Sequence, residues 1–271
     1  MRQGTYPTSS LPVSEEVFLY SQTDKHAART RILIVGLGAL GCPAALVLAG
    51  RPGLELSLLD HDRVEASNLQ RQVLFADSDI GRPKVEAAAE ALSRGSAKAR
   101  LNVLVQRLDE HNAHRLVGAH DFVIDATDDP PSKFLINAAA VATRTPYCYG
   151  GVLGRSGQTM TIVPGVSACL ECVFPADPAN LAAERNEAGC SRLGVLASVA
   201  GVIGSLQGWA ALRATTDVSR PHGHPTDGRM TVYSAAGTRW RQIDFPRDKD
   251  CPCCAQTPLR KEARTVEQCH L

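Results

Sequence analysis

The feature that most constrains the fold is a glycine-rich segment, Gly36-Leu-Gly-Ala-Leu-Gly41, directly after the apolar run Arg31–Val35. The run is short and rich in branched residues, which predicts a buried parallel strand. The residues from Gly41 to Gly50 suit a helix, with Pro43 in its first turn. Glycines at this spacing allow a tight turn and close approach of the backbone to phosphate, at a helix N-terminus that attracts anions. The pattern predicts a nucleotide-binding unit; glycines that serve helix packing alone are the alternative.

Strand and helix patterns alternate after this unit. Alternation of this kind is typical of an α/β, Rossmann-like, doubly wound and mostly parallel sheet. The predicted parallel strands are Leu54–Asp60, Leu101–Gln106, Phe122–Ile124 and Tyr147–Gly151, the predicted helices are Lys84–Arg94, Asp109–Val117 and Ser132–Thr143, and antiparallel strands are predicted at Gln158–Val163 and Met230–Ser234. We expect an arm and helix over residues 1–30, a nucleotide-binding half over 31–151, and a second half over 152–271 that carries a crossover loop and a metal site.

Composition excludes some partners. The 271 residues carry a net charge of +1 and 5% aromatics, which disfavours binding to nucleic acid or to an anionic membrane. Two uncharged stretches, Ile32–Gly50 and Leu193–Leu212, reach the length of a membrane span, but their glycines and serines favour buried segments of an α/β core. The first residues lack the apolar core of a signal peptide. With nine cysteines, an odd number, we expect a reducing, cytoplasmic compartment.

Polar residues follow the second and fourth predicted strands. Asp60 can accept a ribose hydroxyl, and the segment after it adds Asn68, Arg71 and Lys84, which would neutralise a triphosphate. Solvated surface charges are the alternative for the two cations. Asp128 follows the fourth strand and could hold a magnesium ion that bridges phosphates, or it could cap the next helix.

The cysteines form a pattern of their own. Cys169-x-x-Cys172 and Cys251-x-x-Cys254 have the spacing of a tetrahedral, structural zinc site with four thiolate ligands. Cys253 makes the ligand choice ambiguous, although adjacent cysteines do not readily point at one ion; a redox disulfide is the alternative. Cys190 precedes an apolar helix, where the helix dipole would favour its thiolate. It could act as a nucleophile or sulfur carrier, or be a bystander.

Together these residues resemble the ThiF/MoeB/HesA family, bacterial relatives of ubiquitin-activating enzymes, over about residues 30–255. The matching strings are Ile34-Val-Gly-Leu-Gly-Ala-Leu-Gly-Cys42, Leu58-Leu-Asp-His-Asp-Arg-Val64, Ser67-Asn-Leu-Gln-Arg-Gln72, Gly81-Arg-Pro-Lys84, Asp125-Ala-Thr-Asp128 and Cys190-x3-Gly194, leading into Gly201-Val-Ile-Gly-Ser-Leu-Gln207.

The resemblance implies an ATP- and Mg²⁺-dependent, homodimeric adenylyltransferase. It would activate the C-terminal Gly-Gly end of a ubiquitin-like sulfur carrier of the ThiS/MoaD type, with a possible sulfur donor protein as a further partner. The implied nucleotide-contacting residues are Gly36, Gly38, Ala39, Gly41, Asp60, Asp62, Asn68, Arg71, Gln72, Lys84 and Asp128. Among these, Arg71, Lys84 and Asp128 are implied to be catalytic. Cys190 matches the family cysteine that can form a thioester or an acyl-disulfide.

One departure from the family pattern bears on function. Members usually carry an Arg-Tyr-x-Arg-Gln segment before the first strand, which supplies an arginine finger to the partner's active site. Here Phe18-Leu-Tyr-Ser-Gln-Thr23 has no arginine, and Arg2 and Arg29 are poorly placed substitutes. Three alternatives to the carrier-activating enzyme follow: an activating enzyme that passes a thioester from Cys190 in a conjugation system, a catalytically impaired scaffold that binds the carrier, and an NAD(P) oxidoreductase.

Overall fold

One eight-stranded sheet organises the part of the chain that the structure describes. The structure, a computed structural model, describes residues 30–95, 97–175, 194–216 and 228–257. The strand order across the sheet is β3-β2-β1-β4-β5-β6-β7-β8. The strands are β1 (Thr30–Val35), β2 (Leu54–Asp60), β3 (Arg100–Val105), β4 (Phe122–Asp125), β5 (Tyr147–Leu153), β6 (Ser156–Ile162), β7 (Arg229–Ser234) and β8 (Arg239–Asp244).

The first five strands are parallel and the last three are antiparallel to their neighbours. Helices connect the parallel strands, as parallel pairing requires. They are α1 (Gly41–Ala49), α2 (Lys84–Arg94), α3 (Ala113–Gly118), α4 (Pro130–Thr143), α5 (Leu170–Val173) and α6 (Ala197–Thr216), with short 3₁₀ turns at Ala66–Asn68 and Asp77–Asp79. The predicted fold class is confirmed.

The sheet is buried on both faces because its strand residues alternate between two apolar layers. Ile32 and Ile34 pack into the layer that contains α1, α2 and α6. Leu33 and Val35 pack into the layer that contains α3, α4 and α5. A period of two along each strand therefore serves both layers. The predicted boundary at residue 151 falls inside β5, and the sheet continues across it.

Three sequence predictions about elements are corrected. Strand β8 was not predicted, because all six of its residues are exposed and it has no apolar face; it forms on the free edge of β7. Helix α6 runs to Thr216, so the loop predicted to begin at Arg213 starts a turn too early. Helix α4 starts at Pro130 rather than Ser132.

The two uncharged stretches have different outcomes. Residues 32–50 divide into β1, a loop and α1. Of the helices within the described ranges, none combines the length and apolarity needed to cross a bilayer. The predicted helix Ser14–Ala28, the loop after Pro175 and Cys190 lie outside the described residues.

Candidate active site

A large cavity opens where the parallel strands end. Its volume is about 1070 Å³, at the upper end of what ligand pockets usually offer. Carboxyl ends of parallel strands are where ligands bind in open α/β sheets. Most of the predicted nucleotide residues line it: Gly36, Gly38, Ala39, Asp60, Asp62, Asn68, Arg71, Gln72, Lys84 and Asp128. Gly41 does not line it and instead begins α1.

The glycine loop needs glycine for two separate reasons. Gly36 has a φ of +92°, and a Cβ there would lie 2.7 Å from the Ala126 carbonyl oxygen. A Cβ at Gly41 would lie 1.9 Å from the Gly36 carbonyl oxygen. Any side chain at either position would displace backbone. The loop therefore keeps its backbone close to the cavity and closes tightly onto α1.

Asp60 fixes this loop from the end of β2. Its Oδ2 accepts a hydrogen bond from Leu37 N at 2.7 Å, and its Oδ1 accepts one from Asp62 N at 2.8 Å. A carboxylate has about four lone-pair sites, so Asp60 can still accept from a ribose hydroxyl. The same side chain thus shapes the loop and presents an acceptor to the cavity.

The two predicted cations are held in the cavity wall. Lys84 is buried, and its Nζ lies 2.8 Å from Asp62 Oδ2. Burial alone would lower the pKa of Lys84, but the charges of Asp60, Asp62 and Asp128 raise it overall, so it stays an ammonium. Arg71 donates to Asn68 Oδ1 and, at 3.2 Å, to the Ser67 carbonyl oxygen. Both cations have defined partners, unlike solvated surface charges.

The turn after β4 places Asp128 at the cavity. Asp125 is fully buried, and its Oδ1 accepts from Thr127 N at 3.1 Å and Thr127 Oγ1 at 2.6 Å. The alternative reading of Asp128 as a helix cap is wrong, because Asp129 caps α4 by accepting from Ser132 N at 2.9 Å. Asp128 therefore lines the cavity without a capping role.

Lys133 is a cavity residue that the sequence reasoning missed. Its Nζ donates to the carbonyl oxygens of Thr127 and Gly150, each at 2.7 Å, and lies 3.3 Å from Asp125 Oδ1. Burial raises the pKa of Asp125, while Lys133 counteracts that rise. A signal existed in principle: a lysine in the first turn of a helix after a strand-terminal aspartate.

Two glutamines add buried amides around the same floor. Gln207 Nε2, from α6, donates to the carbonyl oxygens of Asp125 at 2.6 Å and Cys148 at 3.1 Å. Gln72 lines the cavity and is buried, and its Oε1 has no hydrogen-bond partner within the described ranges. A buried acceptor without a partner is costly, so a donor group on a bound ligand would suit it. This fits a nucleotide in the cavity.

A second cluster collects the four cysteines predicted to bind zinc. Their sulfurs all lie within 4.8 Å of one another. The printed separations are 3.8 Å for Cys169–Cys172, 3.6 Å for Cys169–Cys251 and 3.5 Å for Cys172–Cys254. A zinc ion with about 2.3 Å bonds to four tetrahedral sulfurs would set them about 3.8 Å apart, so these residues fit zinc. The Cys253 sulfur is outside this group.

Donor groups surround the sulfur cluster. Asp248 N donates to Cys172 Sγ at 3.5 Å. The Arg247 guanidinium donates to the carbonyl oxygens of Cys254 and of Thr257, the latter at 2.7 Å. This cation lies close to four groups that become thiolates on metal binding, which favours the charged ligand set.

The other two described cysteines are packing residues. Burial raises the pKa of Cys42 to about 12 and that of Cys148 to about 11. Reactive cysteines need the thiolate, which these environments disfavour. Neither contributes a nucleophile to the cavity.

Fold and cavity together define a nucleotide-binding α/β protein whose parallel sheet continues into antiparallel strands. The chain belongs to the ThiF family, whose model matches residues 16–253.

Two relatives and one solved structure show the extent of the likeness. The chain is 36% identical over 226 residues to the "Sulfur carrier protein ThiS adenylyltransferase" of Escherichia coli, covering 83% of this chain and 86% of that protein. It is 32% identical over 258 residues to the "Adenylyltransferase and sulfurtransferase MOCS3" of Arabidopsis thaliana, covering 94% of this chain but 54% of that protein. It therefore spans about half the length of that relative.

Among solved structures, E. coli MccB crystallised with ATP matches the fold with a TM-score of 0.70. The match has 21% identity and covers 84% of this chain and 68% of that one. At this identity the likeness concerns the fold alone.

Proposed function

We propose that the protein is an ATP-dependent adenylyltransferase that activates the C-terminal glycine of a ubiquitin-like sulfur carrier of the ThiS/MoaD type. The observation that carries the proposal is the convergence of Arg71, Lys84 and Asp128 with the glycine loop at one cavity. Relatives named as carrier adenylyltransferases support the substrate class. An oxidoreductase is disfavoured, because hydride transfer has no need of these cations beside the nucleotide.

In the proposed reaction, a carboxylate oxygen of the carrier attacks the α-phosphorus of ATP. A carboxyl–phosphate bond forms, the bond to the β-phosphate oxygen breaks, and pyrophosphate leaves with its electron pair. The carboxylate is already a nucleophile, so no general base is needed. Lys84 and Arg71 stabilise the negative charge that builds on the leaving pyrophosphate. The glycine loop and Asp60 hold the nucleotide in line for attack.

Asp128 would hold the magnesium ion, which neutralises phosphate charge when bound. The carboxylate fits this role because it lines the cavity and its charge acts on the Lys84 ammonium. Cys169, Cys172, Cys251 and Cys254 would hold a structural zinc, since four protein ligands leave no open position for catalysis. The zinc would tie the segment around Cys251 to the segment around Cys169.

The wider assignments are part of the same proposal. Residues 31–151 would bind the nucleotide and residues 152–271 the carrier. The working unit would be a homodimer with a sulfur donor as a later partner. Cys190 would carry the covalent intermediate. The arginine that substitutes for the family's N-terminal finger has yet to be located.

ATP–pyrophosphate exchange with labelled pyrophosphate tests the reaction. Exchange is expected only with a carrier that ends in Gly-Gly, and the same carrier lacking its last glycine is the matched control. We expect Arg71→Ala and Asp128→Ala each to abolish exchange while the fold is kept. No exchange with any Gly-Gly carrier would contradict adenylation and favour a binding scaffold.

A Cys190→Ala variant separates adenylation from later transfer. If Cys190 acts after adenylation, the variant keeps exchange but loses any adduct that a reductant or thiol releases. Loss of exchange in this variant would place Cys190 in the adenylation step instead.

A further inference from the structure

Asn137 connects α4 to the cysteine cluster and uses both ends of its amide. It is fully buried. Its Oδ1 accepts from Tyr147 Oη and from Leu170 N, each at 2.9 Å. Its Nδ2 donates to Cys253 Sγ at 3.2 Å and lies 3.8 Å from Cys169 Sγ. A backbone N–H can only donate, so Leu170 fixes which end of the amide is oxygen and turns the N–H groups towards sulfur.

The sulfurs that Asn137 contacts differ in their relation to the cluster. Cys169 is one of the four clustered residues, whereas Cys253 is outside the group although its neighbours in sequence, Cys251 and Cys254, flank it. The segment Cys251-Pro-Cys-Cys254 therefore offers three thiols for two positions. The hydrogen bond from Asn137 gives the extra thiol a partner of its own, away from the other four sulfurs.

Donation to Cys169 has a different effect. An N–H group directed at a sulfur stabilises the thiolate that a metal requires and fixes its direction. The donor comes from the middle of α4, a helix whose start is capped by Asp129 and whose inner face is packed in the core. The amide is thus held by a rigid element rather than by a loop.

We propose that Asn137 is a positioning residue of the zinc site, which orients Cys169 and holds Cys253 out of the ligand set. The inference rests on the zinc binding proposed above. It goes beyond the four-cysteine pattern, because it states why one of three neighbouring thiols in this chain does not bind. Outer-shell partners of metal ligands commonly contribute ten- to hundredfold to metal affinity.

The first test measures zinc affinity of the full-length protein by competition with a coloured chelator. Asn137→Ala should lower the affinity by about ten- to hundredfold. Tyr147→Phe is the matched control: it removes a hydrogen bond from the same buried amide but leaves both N–H···S contacts, and should cause a much smaller loss. Unchanged affinity in Asn137→Ala, or equal losses in both variants, would overturn the inference.

The second test does not require the Asn137 variant to fold. The protein is loaded with Co²⁺, whose sulfur-to-metal charge-transfer band grows with the number of bound thiolates. Cys253→Ala should retain the wild-type intensity, and Cys254→Ala should lose a share of it. The reverse result would show that Cys253 is the ligand and would overturn the inference. Wild-type protein that holds no zinc would refute the zinc site itself, which separates the two failures.

Discussion

The packing of α6 on α1 gives a prediction whose sign can be worked out from two glycines of one helix. Gly204 is buried where α6 crosses the start of α1. A Cβ on Gly204 would lie 2.3 Å from the Leu40 carbonyl oxygen and 2.5 Å from Pro43 Cγ. Gly201, one turn earlier, has no atom within 4 Å of the Cβ position. The same substitution should therefore have opposite effects at these positions.

The magnitudes follow from two contributions. Replacing glycine by alanine inside a helix gains up to about 1 kcal/mol, which is all that Gly201→Ala should show. At Gly204 the contact is about 1 Å short of an ordinary one, and overpacking of this kind costs about 1–3 kcal/mol. Because the obstacle is backbone, which cannot rotate away, we expect the upper part of that range and a net loss of about 2 kcal/mol in the free energy of unfolding.

Thermal unfolding of the full chain at fixed zinc concentration measures both variants. With about 2–4 °C per kcal/mol for a chain of this size, Gly204→Ala should melt about 6–12 °C below Gly201→Ala. Leu40 precedes α1 in the glycine loop, so Gly204→Ala should also weaken ATP binding, whereas Gly201→Ala should not. A Gly204→Ala protein as stable as the wild type would refute the packing argument, and so would shifts of equal sign.

Three further predictions use separate parts of the structure. Gly36→Ala forces a left-handed backbone and a clash with Ala126, a strain of about 1–3 kcal/mol, so titration with a fluorescent ATP analogue should show weaker binding, whereas Gly50→Ala, which has open space, should bind normally. Chelation should release about one zinc per chain and lower the melting temperature; a protein whose melting temperature is unmoved when zinc leaves would contradict a structural role. Burial lowers the pKa of His120, which contacts Ser57 Oγ at 2.8 Å, so the unfolded chain takes up a proton first as the pH falls below about 6.5 and stability should decline there. Urea midpoints at pH 7.5 and 5.5 should differ less in His120→Gln than in the wild type, and equal differences would remove His120 as the cause.

The sequence located the nucleotide side of the cavity because the relevant signals are local. A strand, a glycine loop and a helix follow one another from residue 30 to residue 49, and Asp60 ends the next strand. Residues at the ends of parallel strands meet at one edge of the sheet by topology alone. Asn68, Arg71 and Asp128 could thus be placed at the cavity without coordinates.

Contacts between distant segments were not accessible in the same way. Lys133 meets the Gly150 carbonyl oxygen, and Gln207 meets the ends of β4 and β5 from 82 and 59 residues away. Nothing in the local sequence of α6 indicates that partner, because a buried glutamine in an apolar helix has no periodic signal. Strand β8 was missed for the related reason that its pairing with β7, rather than its own residues, defines it.

The glycine loop with which the sequence begins its constraint on the fold shows where the division lies. The sequence by itself determined the fold class, the nucleotide-binding loop and the four-cysteine spacing, because each depends on residues a few positions apart. Only the tertiary structure decided that Gly204 must be small to let α6 reach this loop, that Asp129 rather than Asp128 caps α4, and that Cys253 is outside the sulfur cluster. Each of these depends on which distant atoms come into contact, and close packing makes those contacts sensitive to a single methyl group.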